Sequence, residues 1–305
     1  MQQQTSPLNG LTIAVTASRR AKELAQLITN LGGTPYIAPT IAIETSKKTE
    51  DNAYQFITET LSRKIDFIII MTGPGIQAIF DIAKAIGSYE QFIEQLKQIP
   101  IIARSTKPQQ VLSRHGIKTN VSVPTTPAVE ACFKLLLKHD IANKRVAISW
   151  HGTNTQSHIK KLEHAGATTL QISTYKYSAR FNNGGKTLLK TLGYNHVQPP
   201  NIQKTITLIQ DLIMKHVDVI TFTSPPAVAN LFEVARTHNL TEKLRTALDA
   251  HVVTVAIGPS TGERLERYGV HVKVIPETYK MGPMIAALIR YLNQSKLSPF
   301  IKSAT

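Results

Sequence analysis

FIIIMTGPGIQAIFDIAKAIG, residues 67–87, aligns without a gap to VITFTSPPAVANLFEVARTHN, residues 219–239. Each opens on a short apolar run that reads as a buried strand. A small hydroxyl residue and a proline follow, and then apolar residues at helical spacing that include a Phe. Proline near the start of a helix is preorganised for it. The chain therefore builds one strand-to-helix edge twice.

The repeat extends outward. IIARSTKPQQVLSRHGIKTNVSVP, from Ile101, lies over TVAIGPSTGERLERYGVHVKVIP, from Thr254, so that Leu112 meets Leu265 and Gly116 meets Gly269. A third unit, VAISWHGTNTQSHIKKLEHAGATTLQIST from Val146, resembles IAVTASRRAKELAQLITNLGGTPYIAPTI from Ile13. The order of units is a, then b-c-a, then b-c, so the first unit needs the last pair to complete a copy. The fold class expected is α/β, with two similar parallel-sheet domains, one of them discontinuous, joined by a two-stranded β linker. The discontinuous domain takes residues 1–37 and 179–305, the inserted domain 45–169, and the linker strands 38–44 and 170–178. Strands are expected at 11–16, 36–43, 67–71, 101–104, 119–123, 146–150, 169–175, 217–221, 252–257 and 270–275.

Composition narrows the function classes. A chain of 305 residues has room for two domains, and no apolar run approaches the ~18 residues of a membrane span. The start, MQQQTSPLNG, lacks the basic patch and apolar core of a secretory signal, so a cytoplasmic protein is expected. Cys132 is the only cysteine, which excludes an intrachain disulfide and a cysteine metal cluster. Lys and Arg outnumber Asp and Glu by 35 to 20, a net charge of +15 that favours an anionic partner. The basic residues are scattered, aromatics are few, and no zinc-finger, RNP or basic-zipper pattern occurs, which counts against nucleic acid.

In open α/β sheets ligands bind beyond the carboxyl ends of the strands. The turns expected there hold the candidate substrate-binding residues Thr16 and Arg19; Thr72 and Gly73; Arg104, Ser105 and Lys107; His151 and Gly152; Thr223 and Ser224; and Gly258, Pro259, Ser260 and Thr261. Exposed N–H groups at a helix start suit carboxylate or phosphate, while each hydroxyl also reads as a helix N-cap. Other motifs fall away. NNGGKT, 182–187, resembles the end of a P-loop, but Arg180 stands where the earlier glycine is required, and a surface loop is expected. His151 and His158 have no third ligand in the pattern, so no metal is expected, and the glycine spacing of GPGIQA does not fit a dinucleotide site. If the two domains face each other, their strand ends line a basic, hydroxyl-rich cleft without nucleophile, metal or cofactor. Such a site suits a polyanion whose chemistry is largely intrinsic.

The chain resembles the uroporphyrinogen-III synthase family over roughly residues 10–292. The resemblance is carried by LTIAVTASRRAKELAQLITNLGGTPYIAPTIAI (11–43), VITFTSPPAVANLF (219–232), GATTLQISTYKY (166–177) and most specifically VAIGPSTGERLERYGV (255–270). It implies two α/β domains joined by a two-stranded ladder, with no cofactor. It implies as substrate hydroxymethylbilane, an octacarboxylate, received from hydroxymethylbilane synthase by possible hand-over; nothing in the sequence suggests an obligate oligomer, and a monomer is expected. The implied reaction loses the terminal hydroxyl as water, attacks the resulting azafulvene through ring D, and recloses a spiro intermediate with that ring inverted. The family's linker tyrosine, the candidate general acid, matches Tyr175, with Tyr177 a nearby competitor. The hydroxyl residue after Gly-Pro, a second catalytic candidate, matches Thr261, beside Ser260, and the serine of the family's TS turn matches Ser224.

Two turns depart from the family pattern. MTGPG puts Thr72 where serine is usual, and ARSTKP puts Arg104 and Lys107 at a turn that often reads VG-x-x-T. The chain resembles a branch in which some members are fused to a winged-helix regulator, and no such extension is expected here. The resemblance thus carries two readings: a synthase, or a non-catalytic tetrapyrrole-binding sensor on the same fold.

Overall fold

A computed structural model describes residues 6–119, 129–150, 156–178, 183–191 and 197–294. Among the described residues ten strands appear in chain order: β1 (Thr12–Val15), β2 (Thr34–Ile37), β3 (Ala42–Glu44), β4 (Phe67–Ile70), β5 (Ile101–Ala103), β6 (Arg145–Ser149), β7 (Thr168–Ile172), β8 (Lys176–Ser178), β9 (Val219–Phe222) and β10 (Val253–Ala256). The chain divides into two compact units. One comprises Met1–Ala42, Tyr177–Phe181 and Asn195–Thr305; the other comprises Ile43–Lys176 and Asn182–Tyr194.

In the discontinuous unit the sheet order is β10-β9-β1-β2, every pair parallel, with Ile13 opposite Val219 and Pro35. The amino-terminal strand is central, and its neighbour comes from the far half of the chain. Alternate side chains go to opposite faces. Ile13, Val15, Val219 and Val255 pack with Leu24, Ile28, Met284 and Leu288. Ala14, Ile220, Phe222 and Ala256 pack with Leu208, Leu231 and Phe232.

The inserted unit repeats the plan with the order β5-β4-β6-β7, also parallel. One face sets Ile68, Ile70, Ile101 and Ala147 against Phe56, Phe80 and Phe92. The other sets Ile69, Ile102, Ile148 and Trp150 against Phe133 and Leu162. Phe80 and Phe232, separated from their strands by the same turn length, fill corresponding places in the two cores. Two parallel-sheet α/β domains are thus present.

Several boundaries differ from the sequence reading. The run expected as one strand over 36–43 is broken into β2 and β3, with Pro39, which has no N–H to give a ladder, between them. Residues 168–172, expected to begin the linker at 170, form β7, the edge strand beside β6; Leu170 and Ile172 are buried in the core around Phe56. The chain crosses between units at β3 and β8, and these two short strands pair. No strand forms over 270–275, where Val274 alone bridges to Val255. The stretch read as a loop at 182–187 enters a helix, Asn183–Thr191, which packs on the Gly73–Ala85 helix and belongs with the inserted unit. The strand expected at 119–123 lies almost wholly outside the described residues. Among the described residues no helix is long and apolar enough to cross a membrane.

Candidate active site

Each sheet presents helix starts at the carboxyl ends of its strands. In the inserted unit β4 runs into Thr72, which caps the Gly73–Ala85 helix: its Oγ1 accepts from the Gly75 N–H at 3.1 Å. Gly73 and Gly75, a departure from the family pattern, have packing reasons. A Cβ on Gly73 would sit 3.2 Å from Val111 Cγ2 of the neighbouring helix. A Cβ on Gly75 would sit 3.0 Å from Ser149 Oγ, 3.1 Å from Thr72 Oγ1 and 3.7 Å from Thr174 Oγ1. Three hydroxyls therefore converge on a position that only glycine leaves open.

Tyr175 reaches the same turn. It is 1% exposed, and its hydroxyl lies 2.9 Å from Thr72 Oγ1. Thr174, 2% exposed, donates to the Gly75 carbonyl at 3.2 Å. The hydroxyl expected as a general acid is thus enclosed and bonded to an N-cap. Tyr177 packs instead on the core of the discontinuous unit.

At the end of β5, Arg104 anchors its N–H on the Ile70 carbonyl at 2.9 Å. Its side chain is half-buried, forms no ion pair among the described residues, and has a buried Nε without a partner. Such a guanidinium normally finds an anion. Ser105 opens the Thr106–Arg114 helix in extended conformation, yet its side chain makes no capping bond; Lys107 is exposed beside it. Ser149, 1% exposed at the end of β6, also has a hydroxyl without a partner. His151 and Gly152 lie outside the described residues.

The discontinuous unit shows the same uncapped starts. Ser224 precedes the Pro225–Thr237 helix at φ −166° and ψ 149°, N-cap geometry, without a side-chain capping bond; Thr223 beside it is half-buried. Gly258 precedes the Pro259–Glu266 helix and has no side chain to cap it. Pro259 and Ser260 are exposed, while Thr261 is 1% exposed. The ring of Tyr279, itself 60% exposed, lies on Gly258, 3.1 Å from where a Cβ would stand. Sequence reasoning missed Tyr279, Ser149 and Thr174. The only signal for Tyr279 was an aromatic in the polar loop PETYK.

Thr16 is a correction. It was expected to bind substrate, but it is fully buried, and its Oγ1 donates to the Thr221 carbonyl at 2.7 Å while Thr221 Oγ1 donates to the Ala14 carbonyl at 2.8 Å. The pair stitches β1 to β9. Arg19 is exposed, and its backbone bridges to Val197. Among the described residues no three His, Cys, Asp or Glu side chains group closely enough to hold a metal ion.

Residues 22–286 match the family model HEM4, described as uroporphyrinogen-III synthase HemD. The chain belongs to the uroporphyrinogen-III synthase family. YjjA of Bacillus subtilis (strain 168), an uncharacterized protein, is 26% identical over 292 residues, covering 95% of this chain and 98% of YjjA. A protein of Methanothermobacter thermautotrophicus provisionally named a uroporphyrinogen-III synthase is 26% identical over 274 residues, 88% of this chain and 93% of that one. Among solved structures, a mutant uroporphyrinogen III synthase of the extreme thermophile Thermus thermophilus superposes with a TM-score of 0.68 at 21% identity, covering 93% of this chain and 100% of that one. At that identity the likeness is one of fold. Among the described residues, the strand-end candidates of this uroporphyrinogen-III synthase family member are therefore hydroxyls, a few first-turn N–H groups and Arg104 with its buried, unpartnered Nε.

Proposed function

We propose that this protein is a uroporphyrinogen-III synthase: it closes hydroxymethylbilane with inversion of ring D, giving uroporphyrinogen III and water. The observation that carries the reading, beside family membership, is the pair of helix starts left without side-chain caps at Ser105 and Gly258, while the start at Ser224, followed by Pro225 and Pro226 with no N–H, contributes hydroxyls. A helix start without a capping side chain has N–H groups to offer, and the helix dipole adds to their attraction for carboxylates. Eight substrate carboxylates need many such donors, and the half-buried Arg104 adds a cationic one. Ser260, Thr261, Thr223, Lys107 and Gly73 stand beside those donors as the proposed binding residues.

Binding of this kind restrains the flexible chain so that ring D meets the azafulvene carbon, which is the entropic part of the barrier. The reaction in this reading needs no metal or cofactor. The protein works as a cytoplasmic monomer and takes hydroxymethylbilane from the synthase that makes it. The test is product analysis. Hydroxymethylbilane is generated in place from porphobilinogen and its deaminase, the protein is added, and the oxidised uroporphyrin isomers are separated. Type III product rising with protein concentration is expected. Type I alone from folded protein overturns the reading and leaves a tetrapyrrole-binding sensor.

A further inference from the structure

The segment after β10 that returns past the Pro259–Glu266 helix is anchored at both ends. The Ala256 N–H donates to the Val274 carbonyl at 2.9 Å, and the Met284 N–H donates to the Lys280 carbonyl at 2.9 Å where the Met281–Gln294 helix begins. Between these points Ile275 and Tyr279, four residues apart, come down on two glycines that are also four apart. A Cβ on Gly258 would sit 3.1 Å from Tyr279 Cγ, and a Cβ on Gly262 would sit 2.8 Å from Ile275 Cδ1. Neither glycine has a positive φ, so what they supply is room and not backbone freedom. Both glycines of GPSTG thus make place for an apolar side chain from the one returning segment.

The outer sides of these side chains are open. Tyr279 is 60% exposed and Ile275 42%. Single exposed apolar side chains are ordinary on a protein surface, but two laid on one turn of one helix make a small apolar face. Polar groups with bonds to give adjoin it. Pro259 has no N–H, and the Thr261 and Gly262 N–H groups both turn to the Gly258 carbonyl at 3.1 Å, which leaves the Ser260 N–H. Thr261, although 1% exposed, makes no side-chain hydrogen bond among the described residues.

Hydroxyls, N–H groups and cations hold carboxylates, but they leave the faces of a pyrrole ring uncovered. We propose that the exposed face of the Tyr279 ring, flanked by Ile275, is a substrate-binding platform on which one pyrrole ring of the tetrapyrrole lies, with a carboxylate of that ring on the Ser260 N–H. An acetate or propionate arm carries its carboxylate one or two methylenes from the ring, so a ring on Tyr279 keeps its own carboxylate beside the helix start that Tyr279 covers. The proposal rests on the synthase reading for the identity of the substrate. The contact belongs to the ring of Tyr279 and not to its hydroxyl, and offset stacking is the geometry it favours.

The test uses the whole protein with Tyr279→Ala, Tyr279→Phe, Gly258→Ala and the Gly258→Ala, Tyr279→Ala pair. Binding of uroporphyrin III is followed by the porphyrin's own fluorescence, and turnover of hydroxymethylbilane is measured beside it. Loss of one aromatic contact is expected to raise the uroporphyrin III Kd of Tyr279→Ala about tenfold and to lower kcat/KM for hydroxymethylbilane by at least as much. Tyr279→Phe is expected to stay near wild type. The slope of log Kd against log salt is expected to be unchanged in Tyr279→Ala, because no charge or donor has been removed. In Gly258→Ala the new methyl displaces the ring by a few tenths of an ångström, so Kd is expected to rise in the wild-type background and not in the Tyr279→Ala background.

An unchanged Kd in Tyr279→Ala overturns the proposal, whether or not its urea midpoint falls, since a side chain that only covers the helix alters stability alone. A Tyr279→Phe as weak as Tyr279→Ala assigns the effect to the hydroxyl and also overturns it. So does a shallower salt slope in Tyr279→Ala, which assigns the loss to carboxylate contacts. If wild-type protein makes no type III product, the synthase reading fails, and uroporphyrin III Kd across the same variants still decides the platform. Absence of both turnover and porphyrin binding overturns both.

Discussion

Gly75→Ala tests the packing around the first strand-end turn. The added Cβ would stand 3.0 Å from Ser149 Oγ and 3.1 Å from Thr72 Oγ1, too close for either to stay where it is. Ser149 Oγ is bonded to nothing among the described residues and can rotate. Thr72 Oγ1 is held at 3.1 Å by the Gly75 N–H and at 2.9 Å by Tyr175, so moving it weakens a cap and a buried hydrogen bond together. Each is worth about 1 kcal/mol. Alanine returns up to about 1 kcal/mol through helix propensity, less at a first turn. The net expectation is a loss of about 1 kcal/mol. Trp150, the only tryptophan, is buried in the core of the inserted unit, so its fluorescence follows that unit in urea. With a slope of about 2 kcal/mol per molar, the midpoint falls by roughly 0.5 M. A midpoint equal to or above wild type refutes the argument. Ser149→Ala alone, which removes a buried hydroxyl without a partner, is expected to be neutral or stabilising by up to about 1 kcal/mol. If adding it to Gly75→Ala restores the wild-type midpoint, the obstacle was Ser149 and not Thr72.

Three further outcomes are expected. Ser224→Ala removes a hydroxyl that caps nothing, so it leaves the unfolding free energy within about 0.5 kcal/mol of wild type while lowering kcat/KM for hydroxymethylbilane several-fold; an unchanged kcat/KM removes Ser224 from the site. Burial, aided by the charge of Lys84, lowers the His115 pKa below its ordinary 6.5, and its Nδ1 lies 2.6 Å from the Tyr89 hydroxyl. A depressed histidine lets the unfolded chain take the proton first, so its contribution is complete above about pH 6.5 and is lost as pH falls through the folded value. His158, in the same unit, is shifted in the same direction by its own burial. In His115→Gln the decline of the urea midpoint between about pH 7 and pH 5 is expected to be shallower, and an unchanged slope counts against the argument. Burial pushes the Cys132 thiol up to about 11 against the pull of Arg104. A thiol reagent at about pH 8 is therefore expected to react only as fast as the inserted unit opens, and prompt reaction with folded protein contradicts that burial.

Much of the architecture could be read from the chain because it depends on period and repetition. Ile68 and Ile70 against Ile69 are sorted to opposite faces by the pleat alone. The out-of-order repeat put the strand from residue 12 and the one from residue 219 into one domain, and the same edge was recognised twice by its proline and hydroxyl. The resemblance to the uroporphyrinogen-III synthase family rested on those same turns. The fate of each hydroxyl was not readable, because the letters S and T are the same whether the oxygen faces a carbonyl, a helix N–H or nothing.

The amino-acid sequence by itself determined the two parallel-sheet domains, the interruption of one by the other and the family, since apolar spacing and repeat order are properties of the one-dimensional chain. Only the tertiary structure decided which oxygens remain available. Thr16 is closed by the Thr221 carbonyl across the sheet, and Tyr175 by Thr72 across a separation of 103 residues, while Ser105 and Ser224 keep hydroxyls that cap nothing. A hydrogen bond depends on distances of a few tenths of an ångström between segments far apart in the chain. No local pattern encodes such a distance, so the final chemistry of these turns is a property of the fold.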